Sequence, residues 1–365
     1  MNKEYLESYH NDDEYKIKAT LDDSQNPLLS VLTVTYNQVD YIEKCIEGSI
    51  SQDTRFTYEI LVGEDGSTDG TREKCIELAD RYPDKIRLFL RDRQKTATFD
   101  ESGAFHSTLN LLLLLKSARG KYLALCEGDD YWIDTQKLQK QVEFLESNLD
   151  YVLCFHNTRL LENGKFKEDW NKGFSSPTST IFDLLKSNYI HTPSCVFRNP
   201  GDGFIPDWYN DVALGDYALF LLLAQSGKIY HFDEEMAVYR VHHSGIWSTK
   251  NMQDRDVLRC EQMLIMANHF QNDEVRQILM EKGLNFFRSA FNQISVHPKE
   301  INAFFDKILS HLTDDVLRLQ LIGEMRNLLI EHANNPSVPY LSNTATTQKL
   351  IKAIITKVVK IFKRK

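Results

Sequence analysis

The sequence lacks the features by which membrane-spanning, secreted and disulfide-bonded proteins are recognised. Nowhere in the 365 residues do about 18 apolar residues follow one another, which is the length that a helix needs to cross a bilayer. Residues 1–8 do not contain the apolar core of a signal peptide, so we expect no secretory leader. The six cysteines are scattered singly without a C-x-x-C pair, a pattern typical of reduced, buried thiols in a cytosolic protein.

A general excess of basic residues and an internal repeat are also absent. The net charge of −9 argues against a protein that binds nucleic acid over its whole surface. The composition, with 42% hydrophobic and 26% charged residues, is that of an ordinary globular protein. The length is sufficient for one main domain with additional segments.

Buried strands and helices alternate through the first third of the chain. Runs of apolar and β-branched residues predict the strands, and segments with helical spacing separate them. The predicted strands are 28–35, 58–62, 85–90 and 120–126, and the predicted helices are 39–51, 71–81 and one that ends at Lys116. This alternation predicts an α/β fold on a mainly parallel sheet, which binds ligands at the carboxyl ends of its strands.

The pattern is less regular in the rest of the chain and becomes helical towards the end. Further strands are predicted at 151–155, 190–198 and 227–232, and further helices at 136–148 and 216–225. From about residue 254 to 331 the spacing is helical, with breaks near Pro298 and Thr313. We therefore predict four parts: an N-terminal arm (1–27), an α/β domain (28–250), a helical appendage (251–340) and a basic amphipathic tail (341–365).

Three carboxylates crowd together directly after the fourth predicted strand. They belong to the segment Glu127-Gly-Asp-Asp-Tyr-Trp132. Acids this close beside a buried strand repel one another unless a positive charge meets them. Hard oxygen ligands suit Mg²⁺ or Mn²⁺ and leave coordination positions open for phosphate. Taken alone, the cluster is also compatible with an acidic turn on a solvated surface.

A second acidic turn follows the second predicted strand. The Ser, Thr and Asp residues within 67–71 are explained by capping of the next helix, whose free amides they can bind. Glu64 and Asp65 lie at the strand end and are not explained in this way. A carboxylate at that position can accept hydrogen bonds from a nucleobase imide or from a ribose.

Four segments in series resemble family 2 glycosyltransferases, which are inverting enzymes with the GT-A fold that use nucleotide-diphosphate sugars. The segments read Val31-Leu-Thr-Val-Thr-Tyr-Asn37, Glu64-Asp-Gly-Ser-Thr-Asp-Gly-Thr71, Gly120-Lys-Tyr-Leu-Ala-Leu-Cys-Glu-Gly-Asp-Asp-Tyr-Trp132 and Tyr239-Arg-Val-His242. Each motif is weak singly, but the four occur in the family's order over roughly residues 28–250. The resemblance implies a Rossmann-like GT-A domain of the bacterial type, with a helical appendage after it.

The resemblance also implies which residues form the donor and metal sites. Donor binding is implied for Thr33, Tyr36, Asn37, Glu64, Asp65, Glu127, Asp129 and Arg240, and metal binding for Asp129, Asp130 and His242. Glu64 and Glu127 stand where the family more often has aspartate. The extra methylene moves each carboxylate by about 1.5 Å. Asp129 is therefore the preferred ligand for Mn²⁺ or Mg²⁺, and Glu127 is expected to reach the sugar or the metal only through water.

Asp216 is the predicted catalytic base. It begins the predicted helix 216–225, where it is placed either to cap the helix or to deprotonate an acceptor hydroxyl. Members of the family place their base on an acid that opens a helix in this region. Asp211 is the reserve candidate. His191 precedes a predicted strand and is a candidate for the acceptor side.

The end of the chain carries a separate signal. Seven basic and no acidic residues occur from Lys349 to Lys365, and apolar residues recur between them at helical spacing. This pattern predicts an amphipathic helix that lies on an anionic membrane surface. Docking of the same helix on the protein's own acidic surface is the alternative, and no nucleic-acid partner is predicted.

The sequence therefore predicts an inverting, metal-dependent glycosyltransferase in the cytoplasm, peripheral at the inner membrane face. The donor is a nucleotide-diphosphate sugar, with UDP favoured, and the acceptor is a glycan, including a lipid-linked one, of a surface polysaccharide or glycoconjugate. Two alternatives are a catalytically silent sugar-nucleotide-binding module and a nucleotidyltransferase. For the latter we would expect a Gly-rich phosphate loop after the first strand, and residues 34–38 contain no glycine.

Overall fold

The computed structural model describes most of the chain. Described are residues 26–93, 108–167, 176–242, 250–293 and 312–333, with the short pieces 14–15, 98–99, 105–106, 305–306, 308–310 and 352. The chain divides into two compact units, Met1–Gly245 and Ile246–Lys365. The predicted tail 341–365 lies outside the described residues apart from Lys352, and so does most of the predicted arm 1–27.

Strands and helices alternate in the first half of the first unit, as predicted. The strands are β1 (Glu14–Tyr15), β2 (Leu29–Thr35), β3 (Tyr58–Glu64), β4 (Ile86–Leu90), β5 (Thr98–Phe99), β6 (Phe105–His106), β7 (Tyr122–Leu125) and β8 (Tyr131–Trp132). The helices are α1 (Ile42–Ile50), α2 (Thr71–Arg81) and α3 (Thr108–Ser117). The bounds of β2, β4 and α2 agree with the predicted bounds to within one residue.

The second half of this unit adds strands to the same sheet. Its elements are α4 (Lys137–Ser147), β9 (Tyr151–Glu162), β10 (Lys165–Lys167), β11 (Thr178–Ser179), α5 (Ile181–Lys186), β12 (Val196–Arg198), α6 (Gly215–Ala224) and β13 (Lys228–Val241). Two 3₁₀ turns, Thr192–Ser194 and Asp207–Asp211, precede β12 and α6 respectively.

The sheet has a parallel centre and antiparallel additions. Strands β4, β3, β2 and β7 lie side by side in that order and are parallel. Strand β12 is antiparallel to both β7 and β9, whereas β13 is parallel to β9. The central strands β2 and β3 are buried almost throughout, which is the pattern of a parallel sheet covered by other elements.

Two predicted strands have bounds that differ from the structure, for identifiable reasons. The predicted strand 190–198 is wrong in its first half, because Pro193 has no amide hydrogen for a sheet ladder and lies in a 3₁₀ turn. The predicted strand 227–232 is too short, because β13 continues to Val241 through irregular pairing with β9 between Phe232 and Ala237. Such irregularities interrupt the alternation from which a strand is recognised.

The described part of the second unit is mainly helical. Its helices are α7 (Met252–His269), α8 (Asp273–Gln293) and α9 (Asp315–Ala333). Asn251 caps α7, since its side-chain oxygen accepts a hydrogen bond from the amide of Asp254 at 2.8 Å. A Cβ at Gly283 would meet the Leu264 side chain at 2.6 Å, so glycine permits α7 and α8 to approach closely. Of the helices that the structure describes, none is long and apolar enough to cross a membrane.

A buried carboxylate ties β3 to its neighbours at the end of the strand opposite the acidic turns. Glu59 is completely buried and accepts hydrogen bonds from the Ser30 hydroxyl at 2.7 Å and the Arg119 amide at 3.0 Å. The guanidinium groups of Arg119 and Arg87 bind its other oxygen at 2.9 and 3.2 Å. Each partner is needed, because a buried charge without its counterion is strongly destabilising.

Glu59→Ala should therefore lower the free energy of unfolding by about 3 kcal/mol, since it leaves two partly buried arginines without their carboxylate. Urea denaturation measures this change. Glu146→Ala is the matched control, because its ion pair with Lys121 is exposed and should contribute less than about 1 kcal/mol. Equal losses in the two variants would contradict a structural role for Glu59.

Candidate functional site

The ends of the central strands bring the two acidic turns together. Thr35 at the end of β2 is level with Glu64 at the end of β3, and β2 is also paired with β7. The amide of Asp65 donates to the carbonyl of Thr35 at 3.0 Å, and the amide of Gly128 donates to the carbonyl of Val34 at 3.0 Å. The two turns therefore flank the end of β2 at one edge of the sheet.

Glycine is required at the centre of the turn after β7. A Cβ at Gly128 would lie 2.5 Å from the side-chain oxygen of Gln38 and 2.6 Å from the hydroxyl of Thr35. These two side chains are themselves joined by a hydrogen bond of 2.8 Å. The missing side chain thus lets the turn lie directly against the end of β2.

The carboxylates of Glu127, Asp129 and Asp130 form one cluster, which we call the acidic trio. One oxygen from each lies within 4.8 Å of the others. Asp130 is buried, and the buried atoms Asp129 Oδ1 and Asp130 Oδ2 have no hydrogen-bond partner within the described protein. Buried carboxylate oxygens without partners are costly unless a cation binds them. The trio therefore fits a divalent cation that prefers oxygen ligands, such as Mn²⁺ or Mg²⁺.

Burial and mutual repulsion disturb the protonation of the trio. Burial is the largest cause that raises the pKa of Glu127 to about 8, and the charges of Asp129 and Asp216 add to it. Burial also raises the pKa of Asp130 well above its usual range, followed by the charges of Asp129 and Glu127. Without a cation, Glu127 therefore carries a proton at pH 7.

The end of β13 brings two predicted residues to the trio. His242 Nε2 lies 2.8 Å from Asp129 Oδ2. The backbone amide of Arg240 donates to Asp130 Oδ1 at 2.8 Å, and its guanidinium donates to the carbonyl oxygen of Asp129. An imidazole and three carboxylates gathered in this way are a possible ligand set for a divalent cation.

Aromatic rings hold Arg240 and His242 in place. The guanidinium of Arg240 lies over the rings of Tyr41, at 4.8 Å, and Tyr131, at 4.6 Å. The ring of Tyr41 is 5.3 Å from that of His242, and Lys44 Nζ lies 3.9 Å over Tyr131. The role of Tyr41 was not predicted from the sequence. The one signal that could have indicated it is an aromatic residue just before α1.

Glu64 is engaged within the protein. It is completely buried, one of its oxygens accepts from the amide of Ser67 at 2.6 Å, and the other is bound by the guanidinium of Arg72. Arg72 also donates to the carbonyl of Arg91. These contacts favour a role for Glu64 in shaping the turn, and its predicted contact with a donor stays a prediction.

Asn37 joins the end of β2 to the second acidic turn. Its φ of 51° lies in the left-handed region, which asparagine adopts more readily than most residues. Its amide donates to the Ser67 hydroxyl at 2.9 Å, and its side-chain oxygen accepts from the amide of Thr68 at 3.0 Å. Thr33 is completely buried, and its hydroxyl oxygen has no hydrogen-bond partner within the described protein.

Tyr36 and Asp65 share one partner, Arg93. The guanidinium of Arg93 forms an ion pair with Asp65 and lies 3.4 Å over the ring of Tyr36. Asp65 is buried and Tyr36 is half-buried. An aromatic face, a carboxylate and a guanidinium in contact are suited to a flat, hydrogen-bonding ring such as a nucleobase.

Asp216 is the second residue of α6 and is half-buried. Burial raises the pKa of Asp216 above its usual range, although the amide of Tyr217 and the side chain of Asn188 lower it. Its charge contributes to the raised pKa of Glu127. Asp211 is exposed in the 3₁₀ turn before α6.

A stacked pair of rings lies beside the carboxylates. His191 and Tyr239 are parallel to within 4°, with ring centroids 4.7 Å apart. His191 Nδ1 is 2.7 Å from the hydroxyl of Thr158. Burial raises the pKa of Tyr239, and the charges of Asp130, Glu127, Asp129 and Asp216 add to this effect. The charges of all four acids therefore act on the Tyr239 side chain, for which no role was predicted although it begins the family-like segment 239–242.

The chain is similar to known proteins over a large part of its length. Residues 30–200, a little under half of the chain, match the model of a family described as glycosyl transferase family 2. The chain is 36% identical over 232 residues to an uncharacterized protein of Mycobacterium tuberculosis, a match that covers 60% of this chain and 60% of that relative. It is 29% identical over 226 residues to WfaP of Escherichia coli, which is named a UDP-Glc:α-D-GlcNAc-diphosphoundecaprenol β-1,3-glucosyltransferase; this covers 61% of the chain and 81% of WfaP.

A solved structure shows the same fold. The crystal structure of S. aureus TarS 1–349 in complex with UDP-GlcNAc superposes with a TM-score of 0.54 at 17% sequence identity, covering 92% of this chain and 91% of that one. The predicted fold is therefore confirmed: it is the α/β fold of the GT-A type, with a mainly parallel sheet, flanking helices and further helices towards the C-terminus.

Protonation of Glu127 should make stability depend on pH. Because the pKa of Glu127 is about 8 in the folded protein and ordinarily 4.5, the folded state holds this proton over a range in which the unfolded state has lost it. Without divalent cations, the free energy of unfolding should therefore fall as the pH rises from 4.5 to about 8. Thermal unfolding should show a steeper fall in Tm for the wild type than for Glu127→Gln. Glu146→Gln, at an exposed site, should keep the wild-type slope; a wild-type slope in Glu127→Gln would contradict the raised pKa.

Tyr41→Leu should remove the ring that contacts both Arg240 and His242. We expect the free energy of unfolding to fall by about 1–2 kcal/mol, the range of a partly desolvated cation–π contact together with lost packing. Tyr41→Phe keeps the ring and should stay within about 0.5 kcal/mol of the wild type in the same urea titration. A loss as large in Tyr41→Phe would place the contribution in the hydroxyl group instead.

Proposed function

We propose that this chain is an inverting family 2 glycosyltransferase that moves a sugar from a nucleotide-diphosphate donor to a hydroxyl of a glycan. The observation that carries the proposal is the acidic trio, whose unpaired buried oxygens lie at the carboxyl edge of a mainly parallel sheet. The match of residues 30–200 to the family 2 model supports it.

UDP is the proposed nucleotide of the donor. TarS was crystallised with UDP-GlcNAc, and the name of WfaP specifies UDP-Glc. Tyr36 and Asp65 offer an aromatic face and a carboxylate to the base, while Thr33 lies in β2 and Asn37 lies two residues beyond its end. Since Arg93 contacts both Tyr36 and Asp65, the base binds either on the exposed side of this guanidinium or in its place.

Asp129, Asp130 and His242 are the proposed ligands of Mn²⁺ or Mg²⁺, with Glu127 in the same cluster. When bound, the cation supplies positive charge that stabilises the departing diphosphate. Arg240 adds a second positive charge beside the trio. Two aromatic rings and the carbonyl of Asp129 fix its guanidinium, so little conformational entropy is lost when it binds phosphate.

Asp216 is the proposed base. As the acceptor oxygen attacks the anomeric carbon and the bond to the diphosphate breaks on the opposite face, the acceptor proton passes to the Asp216 carboxylate. The raised pKa of Asp216 suits this role, because a base accepts a proton more readily as its pKa approaches the working pH. Asp211 stays the reserve candidate, but its exposure makes it less suitable.

A glycan, including a lipid-linked one, is the proposed acceptor, and the inner membrane face is the proposed location. The name of WfaP specifies a sugar on diphosphoundecaprenol as acceptor. The basic, amphipathic sequence of residues 349–365 supports attachment to an anionic membrane surface.

A screen of nucleotide sugars by thermal shift, with and without Mn²⁺, should identify the donor. At 100 times its Kd, the right compound should add about 2.7 kcal/mol to the free energy of unfolding. Asp216→Asn should then keep donor affinity within twofold while the rate of transfer falls by about 10²–10⁴. Asp211→Asn is the matched control and should keep most of the activity.

Two outcomes would contradict the proposal. If no nucleotide diphosphate stabilises the protein in the presence of Mn²⁺, the donor site as described is wrong. If the donor binds but neither the wild type nor Asp216→Asn transfers or hydrolyses the sugar, the chain is a binding module without catalysis.

A further inference from the structure

Two buried cysteine side chains are in contact with each other next to the main chain of the acidic trio. Cys45 lies in α1, and Cys126 is the residue between the end of β7 and Glu127. Their sulfur atoms are 3.6 Å apart although 81 residues separate them in the sequence. Both side chains are completely buried, and both cysteines are in the free thiol form. The two sulfurs are therefore in van der Waals contact without a covalent bond.

The Cys45 thiol is also hydrogen-bonded to the main chain of the trio. Its sulfur lies 3.3 Å from the carbonyl oxygen of Glu127 and 3.8 Å from that of Cys126; the single S–H donates to one acceptor at a time, and the carbonyl of Glu127 is the nearer. The position of Cys126 is fixed in turn, since its amide donates to the carbonyl of Leu32 in β2 at 3.1 Å. The thiol hydrogen of Cys45 thus helps to hold the backbone from which the trio projects.

We propose that Cys45 and Cys126 form a reversible disulfide under oxidising conditions and that this bond weakens cation binding by the trio. With hydrogen peroxide as oxidant, the two thiols give up two hydrogen atoms, one S–S bond forms, and the peroxide is reduced to two molecules of water. The sulfurs need to approach from 3.6 Å to the bonding distance of about 2.05 Å. This approach requires rotation of the two side chains and a shift of α1.

The chemical change reaches the trio by two routes. The disulfide has no S–H group, so the carbonyl of Glu127 loses a hydrogen-bond donor. In addition, Tyr41 directly precedes α1 and contacts both Arg240 and His242, so a shift of α1 towards β7 moves the rings beside the trio. This second part of the inference rests on the proposed metal site, whereas formation of the disulfide does not.

The experiment uses the full chain, reduced, desalted and then treated with hydrogen peroxide or diamide at a dose that leaves the circular dichroism spectrum unchanged. Free thiols are alkylated, and the protein is digested without reduction for mass spectrometry. We expect two of the six thiols to be lost and one cross-linked peptide, containing Cys45 and Cys126, that dithiothreitol removes. Mn²⁺ affinity, measured by electron paramagnetic resonance of the free ion, should be about fivefold weaker after oxidation, the effect of one lost hydrogen bond.

Variants separate this pair from the other cysteines. Cys45→Ser and Cys126→Ser should form no such peptide, and their Mn²⁺ affinity should not respond to the oxidant; alanine replaces serine if either variant is unstable. Cys260→Ser is the matched control, because Cys260 is equally buried but lies in α7 of the second unit. It should form the same cross-linked peptide as the wild type.

Different results overturn different parts of the inference. Absence of the cross-linked peptide, or its replacement by a mixture of other cysteine pairs, overturns the disulfide. Formation of the disulfide with Mn²⁺ affinity unchanged within twofold overturns the coupling to the trio. If the reduced wild type binds no Mn²⁺, the proposed metal site fails and the coupling with it, while the cross-linked peptide still decides whether the disulfide forms.

Discussion

The three carboxylates of the acidic trio lie within 4.8 Å of one another at the end of a buried strand, and their mutual repulsion opposes folding. Contacts with the surrounding elements reduce this unfavourable free energy. The backbone amide of Arg240 donates to Asp130, the imidazole of His242 meets Asp129, and a thiol donates to the carbonyl of Glu127. Two buried carboxylate oxygens still have no partner within the described protein. A divalent cation bound by these oxygens would relieve the remaining repulsion, and that relief would contribute to the affinity for the cation.

The position of the trio could be predicted from the sequence, but the group that surrounds it could not. Buried runs of apolar residues indicated β2, β3 and β7, and the rule that ligands bind at the carboxyl ends of parallel strands then brought residues 64–65 and 127–130 to one edge. The contact between the tilted rings of Tyr41 and His242 joins the residue before α1 to the residue after β13, which no local pattern encodes. The end of β13 was likewise predicted too early, because irregular pairing with β9 interrupts the alternation of apolar and polar residues in the strand.

The resemblance implies the same role, donor binding, for several residues whose contacts in the structure differ. Glu64 and Asn37 stand in motifs associated with the donor, yet both form hydrogen bonds that connect β2, β3 and the turn after β3. Asp65 and Tyr36 instead meet at Arg93, whose side chain is partly exposed. A sequence motif shows only which residue type is present at a position. The contacts in the structure show whether that residue is bonded within the turn or is accessible to a ligand.

The proton and the metal are linked at this site. The charge of Asp216 contributes to the raised pKa of Glu127, so an ionised Asp216 favours the protonated form of Glu127. A divalent cation bound among Glu127, Asp129 and Asp130 would reverse the sign of the local field and favour the ionised form of Glu127. Cation binding would then release the proton of Glu127, so the affinity of the trio for a cation would rise with pH.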